Sequence, residues 1–426
     1  MLPPGPRYPV ALQTLGWIAR PGPFMERCRD RYGDAFTLRL HNEDTWVLLS
    51  DPAAVKQVFT GDPKLLHSGE ANGILRPIVG PNSVLLLDDR AHMSQRKLLL
   101  PPFHGERMKA YGGLMAEAAE AEIAAWPAGQ VVATRPAMQR ITLEIVMRAI
   151  FGITDTRAMG RMRAALTSML DWTTRPSRLM LLVAAGPKGI PRIPEYRAVM
   201  AELDAVIAEA IAGGRAASDV AERGDVLSML LGARHEDDGS PMTDAELRDE
   251  LVTLLVAGHE TTATALSWAL ERLARHPEAW ARLRSGDEPY LDAVIKETLR
   301  LRPVLPIVLR RLKAPLEIGG WELPEGVSAV PCIYLMHRRP DIYPDPLAFR
   351  PERFLEQPAG TYTWIPFGGG VRRCLGASFA QFEMAAVLRV LARRCASLEP
   401  DGVVPERTAR RSITLVPARD GAVVVG

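Results

Sequence analysis

Two periods of hydrophobic and polar positions run along this chain, and the helical one dominates. Near the start, Phe36 to Leu40 and Trp46 to Leu49 read as two strands joined by the polar turn His41-Asn42-Glu43-Asp44. A second strand-like stretch covers Leu316 to Ile333, punctuated by Gly319-Gly320 and Pro324-Glu325-Gly326. Nearly everything between them reads as helix. Val199, Leu203, Val206, Ile207 and Ile211 recur at helical spacing, and Gly213-Gly214 is expected to stop that run. The longest helical signal opens at Thr243, where Thr243 and Glu246 form a capping-box pattern, and Pro277 closes it. About 33 residues at roughly 1.5 Å each give a helix near 50 Å long. Within it, Leu251 to Ala257 is apolar almost all round, which predicts burial. No internal repeat and no Gly/Ser-rich linker divides the chain. Residues 1–426 are therefore expected to form a single domain, mainly α with small β-sheets (α+β).

Composition narrows the function classes. The 52 basic and 50 acidic residues nearly balance, which argues against a nucleic-acid binder driven by bulk charge. Cys28, Cys332, Cys374 and Cys395 are scattered without a CxxC spacing, so neither a disulfide framework nor a zinc knuckle is expected. A reducing, cytoplasmic setting fits. Met1-Leu2-Pro3-Pro4-Gly5-Pro6 lacks the charged-then-apolar pattern of a leader. No apolar run reaches the roughly 18–20 residues of a bilayer span, the best being the short Leu179 to Ala185, so no membrane anchor is expected.

The segment richest in chemistry is Phe367-Gly368-Gly369-Gly370-Val371-Arg372-Arg373-Cys374-Leu375-Gly376-Ala377. Its glycines permit tight turns and close approach to a flat ligand. An amphipathic helix follows, with Phe379, Phe382, Ala386 and Val390 on its apolar side. Cys374 thus stands just before a helix N-terminus, where the backbone dipole and free N–H groups favour a thiolate, and Arg372 and Arg373 add positive charge. Most lone cysteines are simply small buried residues, and Cys28, Cys332 and Cys395 are read that way. The loop around Cys374 resembles that of the cytochrome P-450 family, F-x-x-G-x-R-x-C-x-G, with Phe367, Gly370, Arg372, Cys374 and Gly376 at every fixed position.

That resemblance implies the cytochrome P-450 fold, with haem b between the long central helix and the cysteine-loop helix. It makes Cys374 the proximal thiolate ligand of the iron, with Phe367 packed near the sulfur, Gly376 in the loop and Arg372 on a haem propionate. Thiolate ligation pushes electron density toward the iron and favours O–O cleavage.

Inside the long helix stands Ala257-Gly258-His259-Glu260-Thr261-Thr262. His259-Glu260 does not open a zinc-protease motif, because HExxH requires His at 263 and the chain has Ala263. In isolation, the threonines and Glu260 read as ordinary helix residues. The resemblance places A-G-x-[D/E]-T over the distal haem face instead. Thr261 would then hydrogen-bond dioxygen, Glu260 would relay protons from solvent, and Ala257 with Gly258 would leave room for oxygen and substrate.

Glu297 and Arg300 lie three apart on one helix face, by themselves a common surface pair of little value. With Pro351-Glu352-Arg353-Phe354 and the cysteine loop they match the family's ExxR and PERF elements in order. The resemblance implies a buried network of Glu297, Arg300 and Arg353 bracing the cysteine loop. His92 and Arg96, four apart, share a helix face and are able to bind two anionic oxygens together, although a solvated basic face has the same pattern. The resemblance makes both propionate ligands, with Arg310 as a third.

The function implied is a monooxygenase that puts one oxygen atom of O2 into an apolar organic substrate, a fatty acid, terpenoid, steroid or macrolide. The sequence holds no G-x-G-x-x-G turn or cysteine cluster for a flavin or iron–sulfur centre. Electrons are thus expected from a ferredoxin or flavodoxin with its NAD(P)H-dependent reductase, the enzyme itself being a monomer. Arg372, Arg373 and Arg96-Lys97 are candidates for docking an acidic carrier. The substrate wall is assigned by family analogy to Ile74 to Leu87, Met169 to Ile193, the central helix, Val304 to Val308 and Ser412 to Thr414. A peroxide-driven enzyme would not need the Glu260-Thr261 pair, and a haem sensor or carrier would need an output domain or an exchangeable cofactor.

Overall fold

The alternating stretches form the strands their pattern predicts. In this computed structural model, which describes residues 1–103, 105–152, 155–174, 178, 185–186, 188–220 and 222–426, Ala35–Arg39 pairs antiparallel with Thr45–Leu49. Asn42 at positive φ turns the chain between them. Thr45–Leu49 pairs in parallel with Ser328–Pro331, and Arg310–Leu312 and Leu66–His67 complete a five-stranded sheet. The long stretch after Leu316 breaks where its glycines predict: Gly319 and Gly320, both at positive φ, close the hairpin Leu316–Ile318 with Trp321–Leu323.

The rest is mostly helix, and the fold is the mainly α architecture with small sheets that the sequence implies. The described residues pack into two compact units. One comprises residues 1–66, 115–141 and 260–426, the other residues 67–114 and 142–259. In the first unit, Val47, Leu49, Val55, Val58, Phe59, Leu312 and Ile333 form one apolar cluster. Trp17, Phe24, Phe36, Leu38, Leu48 and Leu335 form another. In the second unit, Tyr196, Met200, Leu203, Ile207 and Ile211 bury one side of the helix Pro194–Ala216.

The long helix runs Asp244–Ala274. Its capping box is made: the Glu246 carboxylate accepts from the Thr243 N–H at 2.8 Å and Thr243 Oγ1 accepts from the Glu246 N–H at 3.2 Å. Leu251, Val252 and Leu255 are buried as expected, but Ala257 is exposed. A second expectation fails at Gly213-Gly214, which do not stop their helix. Gly214 is buried there, and a Cβ on it would stand 2.7 Å from Leu231 Cδ1, so its lack of a side chain serves packing rather than termination.

Candidate active site

The cysteine loop is folded by short local hydrogen bonds. The Gly368 N–H donates to Ile365 O at 3.0 Å, Arg373 N–H to Gly370 O at 3.1 Å, and Cys374 N–H to Phe367 O at 3.0 Å. Gly368 and Gly370 both have φ of +66°, where a side chain would be strained. A Cβ on Gly369 or Gly370 would also collide with Phe59, so the loop lies flat against that residue. Gly376 caps the helix Ala377–Arg394, which begins three residues after the cysteine.

Cys374 differs from the other three cysteines in the property that matters for ligation: it is exposed, and they are buried. Burial pushes the Cys28 thiol up to about 11 and the Cys332 thiol up to about 12, and raises Cys395 as well, so all three stay protonated. Among the described residues no group of three or more His, Cys, Asp or Glu could hold a metal ion. An exposed cysteine on a glycine-rich loop suits a porphyrin iron, which carries its own nitrogen ligands. The residues present fit a haem thiolate.

Behind the loop lies a network of buried charge. Arg300 donates from Nε and Nη2 to the two Glu297 carboxylate oxygens at 2.7 and 2.8 Å, and both side chains are fully buried. Its remaining N–H groups reach His337 O, Pro346 O and Ala348 O at 2.7, 2.8 and 3.1 Å. Glu297 also accepts from Arg353 Nε at 3.1 Å and from the Arg350 N–H at 2.9 Å. Two links carry this frame to the loop. Trp364 Nε1 donates to Lys296 O at 3.1 Å, while its ring meets Phe367 edge-on with centroids 6.0 Å apart. His337 Nε2 accepts from the Ile365 N–H at 2.9 Å. Burial, reinforced by Arg300 and Arg338, holds His337 well below the usual imidazole range, leaving it neutral and able to accept.

Arg310 is buried and points one guanidinium nitrogen at Gly369 O, 3.4 Å away. It therefore belongs to the surroundings of the loop. Arg372 is half-buried beside the cysteine.

Glu260 is only 8% exposed and sits among cationic and amide groups. Gln139 Nε2 donates to Oε2 at 2.5 Å. Oε1 has Arg135 Nη1 at 3.6 Å and Arg411 Nε at 3.9 Å, ion-pair separations rather than hydrogen bonds. Arg135 continues to the half-exposed Asp420 at 2.6 Å, so polar groups extend from Glu260 toward solvent. Thr261 is half-buried next in sequence. Thr262, after it, faces Glu383 of the helix that follows the cysteine. Glu383 is 0% exposed, and neither carboxyl oxygen has a hydrogen-bond partner among the described residues. Burial raises this carboxyl well above the usual range, so it is a neutral acid.

The sequence reading missed Arg135, Gln139, Arg411 and Glu383. Only Glu383 carried a local signal, an acid amid the buried positions of an amphipathic helix.

In the second unit, His92 and Arg96 share the helix Asp89–Leu99, with His92 buried and Arg96 half-buried. Lys97 on the same helix pairs with Glu236 at 2.5 Å. His259 bonds Thr142 Oγ1 through Nδ1 at 2.9 Å, which accounts for its ring without a metal. In the first unit, Val304 O accepts from the N–H of Leu415, the residue after the expected wall segment Ser412 to Thr414, at 2.7 Å. The Met180-Leu181-Leu182-Val183 part of the expected wall, and Pro187, lie outside the described residues.

The family model described as Cytochrome P450 matches residues 3–423, and the chain belongs to that family. It is 42% identical over 440 residues to cytochrome P450 135B1 of Mycobacterium tuberculosis (strain H37Rv), covering 100% of this chain and 91% of that one. Cytochrome P450 135A1 of the same strain is 38% identical over 422 residues, covering 98% and 93%. Among solved structures, a retinoic acid bound cyanobacterial CYP120A1 superposes with a TM-score of 0.85 at 25% identity, over 100% of this chain and 99% of that one. The protein is a haem-thiolate monooxygenase whose cofactor is haem b, and its reaction uses O2, an organic substrate and a redox partner. Among the described residues no helix is long and apolar enough to cross a membrane.

Proposed function

We propose that this enzyme oxygenates an apolar substrate of the fatty acid, terpenoid, steroid or macrolide kind, with Cys374 as the iron ligand. The observation that carries the reading is the contrast among its cysteines: three are buried thiols, and the fourth is presented on a rigidly braced loop before a helix. Bound haem supplies oxygen activation, and the thiolate supplies electron density to it. Phe367 and Gly376 shape the loop around the sulfur. Arg310, Arg372, His92 and Arg96 pair with the propionates, where guanidinium and imidazole N–H donors favour carboxylates. Ala257 keeps the helix surface narrow beside the substrate. Thr261 offers its hydroxyl to dioxygen, and Glu260 passes protons inward from the Arg135 and Asp420 side. Glu297, Arg300 and Arg353 hold the loop without touching the reacting atoms. The retinoic acid named for the structural neighbour is itself an apolar chain with a carboxylate, which supports an isoprenoid or fatty acid among these classes.

Electrons come from a ferredoxin or flavodoxin with an NAD(P)H-dependent reductase, and the enzyme works as a cytoplasmic monomer. The absence of disulfides among its four cysteines fits a reducing compartment.

The test is the Soret band of the dithionite-reduced protein under carbon monoxide. A strong red shift is expected from the native protein and none from Cys374→Ser. Identical spectra from the two would remove Cys374 as ligand.

A further inference from the structure

One side of the long helix grips a loop with unusual completeness. The loop runs from the short helix Arg76–Val79 to the helix Asp89–Leu99. Asp249 Oδ2 accepts from the Asn82 backbone N–H at 2.8 Å and from Asn82 Nδ2 at 2.9 Å. Glu250 Oε1 accepts from the Val84 N–H at 2.7 Å. Thr253 Oγ1 lies 2.7 Å from Ser83 Oγ. Arg248 holds Asp249 at 3.0 Å and Asp204 at 2.7 Å, which fixes the carboxylate that does the gripping. Gly80, at φ +82°, has no room for a Cβ because the Asp249 carboxylate occupies that space. Tyr196 Oη donates to Pro77 O at the loop's near end.

Loop N–H groups ordinarily bond water. Here two of them are capped by carboxylates of one helix, with Asp249 only 4% exposed and Glu250 at 0%. Such groups are costly to bury unless they are hydrogen-bonded, and the loop supplies those bonds. Beyond the capped positions comes Val84-Leu85-Leu86-Leu87, in which Leu85 and Leu87 are half-buried.

We infer that Asp249 and Glu250 form a clamp on residues 80–84 that fixes the apolar run Val84–Leu87, and that this clamp sets which substrates the enzyme accepts. The inference rests on the reading above that Ile74 to Leu87 is part of the substrate wall. Asp249 and Glu250 are positioning residues, since they act through the loop. Glu250 does so as an uncharged acceptor at neutral pH, because burial pushes its carboxyl up to about 8. A glutamine carbonyl at that position replaces it in kind.

The test uses the haem-loaded protein and four variants: Asp249→Ala, Glu250→Ala, Glu250→Gln and the milder Asn82→Ala. Two quantities are read: amide hydrogen exchange at Asn82 and Val84, and spectral titration with imidazole and 1-octylimidazole. Imidazole reports the iron alone, and the octyl chain reports the wall. In the alanine variants of the helix, exchange at the loop is expected to rise about tenfold or more, the loss of about one buried hydrogen bond. The octylimidazole dissociation constant should shift several-fold while that of imidazole stays put, and Glu250→Gln should behave as wild type. Should Asp249→Ala or Glu250→Ala not fold, Asn82→Ala is expected to show the same pattern at smaller amplitude. Unchanged exchange would show that no clamp exists. Faster exchange with unchanged octylimidazole binding would show that the loop does not line the pocket, and Glu250→Gln behaving like Glu250→Ala would remove the acceptor role. A native protein without the red-shifted carbon monoxide band would instead overturn the thiolate reading, an outcome separable from all of these.

Discussion

The frame behind Cys374 and the surroundings of Glu260 are both built from buried charges, yet they are finished differently. Around Arg300, the donors reach a carboxylate or a carbonyl at 2.7 to 3.1 Å. Around Glu260, one oxygen is well bonded and the other stands 3.6 and 3.9 Å from two guanidinium groups. Nearby, the fully buried Glu383 has only Thr262 facing it, short of a well-formed hydrogen bond. Arg300 is held rigidly, because every alternative arrangement of it loses bonds, although Arg353 Nη2 and His337 Nδ1 in the same frame have no hydrogen-bond partner among the described residues. An unsaturated network has neighbouring states of similar energy. The first arrangement suits the role proposed for the cysteine loop, the second the role proposed for Glu260.

The comparison makes its largest prediction at the saturated end. Arg300→Ala leaves the Glu297 carboxylate buried without its main partner, a loss on the order of 3–5 kcal/mol. Denaturant unfolding should register it, together with weaker haem retention. A loss below about 1 kcal/mol would mean that the frame is not under load. Next in size is Thr261→Ala. With the hydroxyl removed, reductant consumption should continue while product per reductant falls by about an order of magnitude and peroxide accumulates. Coupling equal to wild type would detach Thr261 from oxygen handling and blur the contrast.

A pH-dependent effect is expected at Glu383. Its folded form holds a proton far more tightly than the unfolded chain, whose carboxyl titrates at about 4.3. The folded state is therefore favoured by this group below that value, and the advantage is lost as pH rises toward the folded pKa. Glu383→Gln removes the titration. Its melting temperature relative to wild type should climb between pH 5 and pH 8, and a constant difference would show that Glu383 is not protonated in the fold.

What the sequence made legible follows from range. The strand pair at Ala35–Leu49, the capping box at Thr243 and the cysteine loop are each written within a few consecutive residues, where periodicity and spacing act. The Glu297–Arg300 pair was visible as a spacing, but its full burial depends on Arg353 and on carbonyls of residues 337 to 348. Local pattern says nothing of such partners. Gln139 meets Glu260 and Asn82 meets Asp249 across 121 and 167 positions, and nothing in either neighbourhood announces the other. Gly214 shows the same limit in reverse: a residue with a strong local meaning was used for a distant one, its contact with Leu231.

The flat seat of Gly369 and Gly370 on Phe59 joins parts of the chain made at very different times. Phe59 is made first, and its counterpart follows about 310 residues later. The seat for the cysteine loop can therefore be complete only after those residues have been made. A nascent chain that stops before the loop keeps Phe59 but has nothing to lay against it.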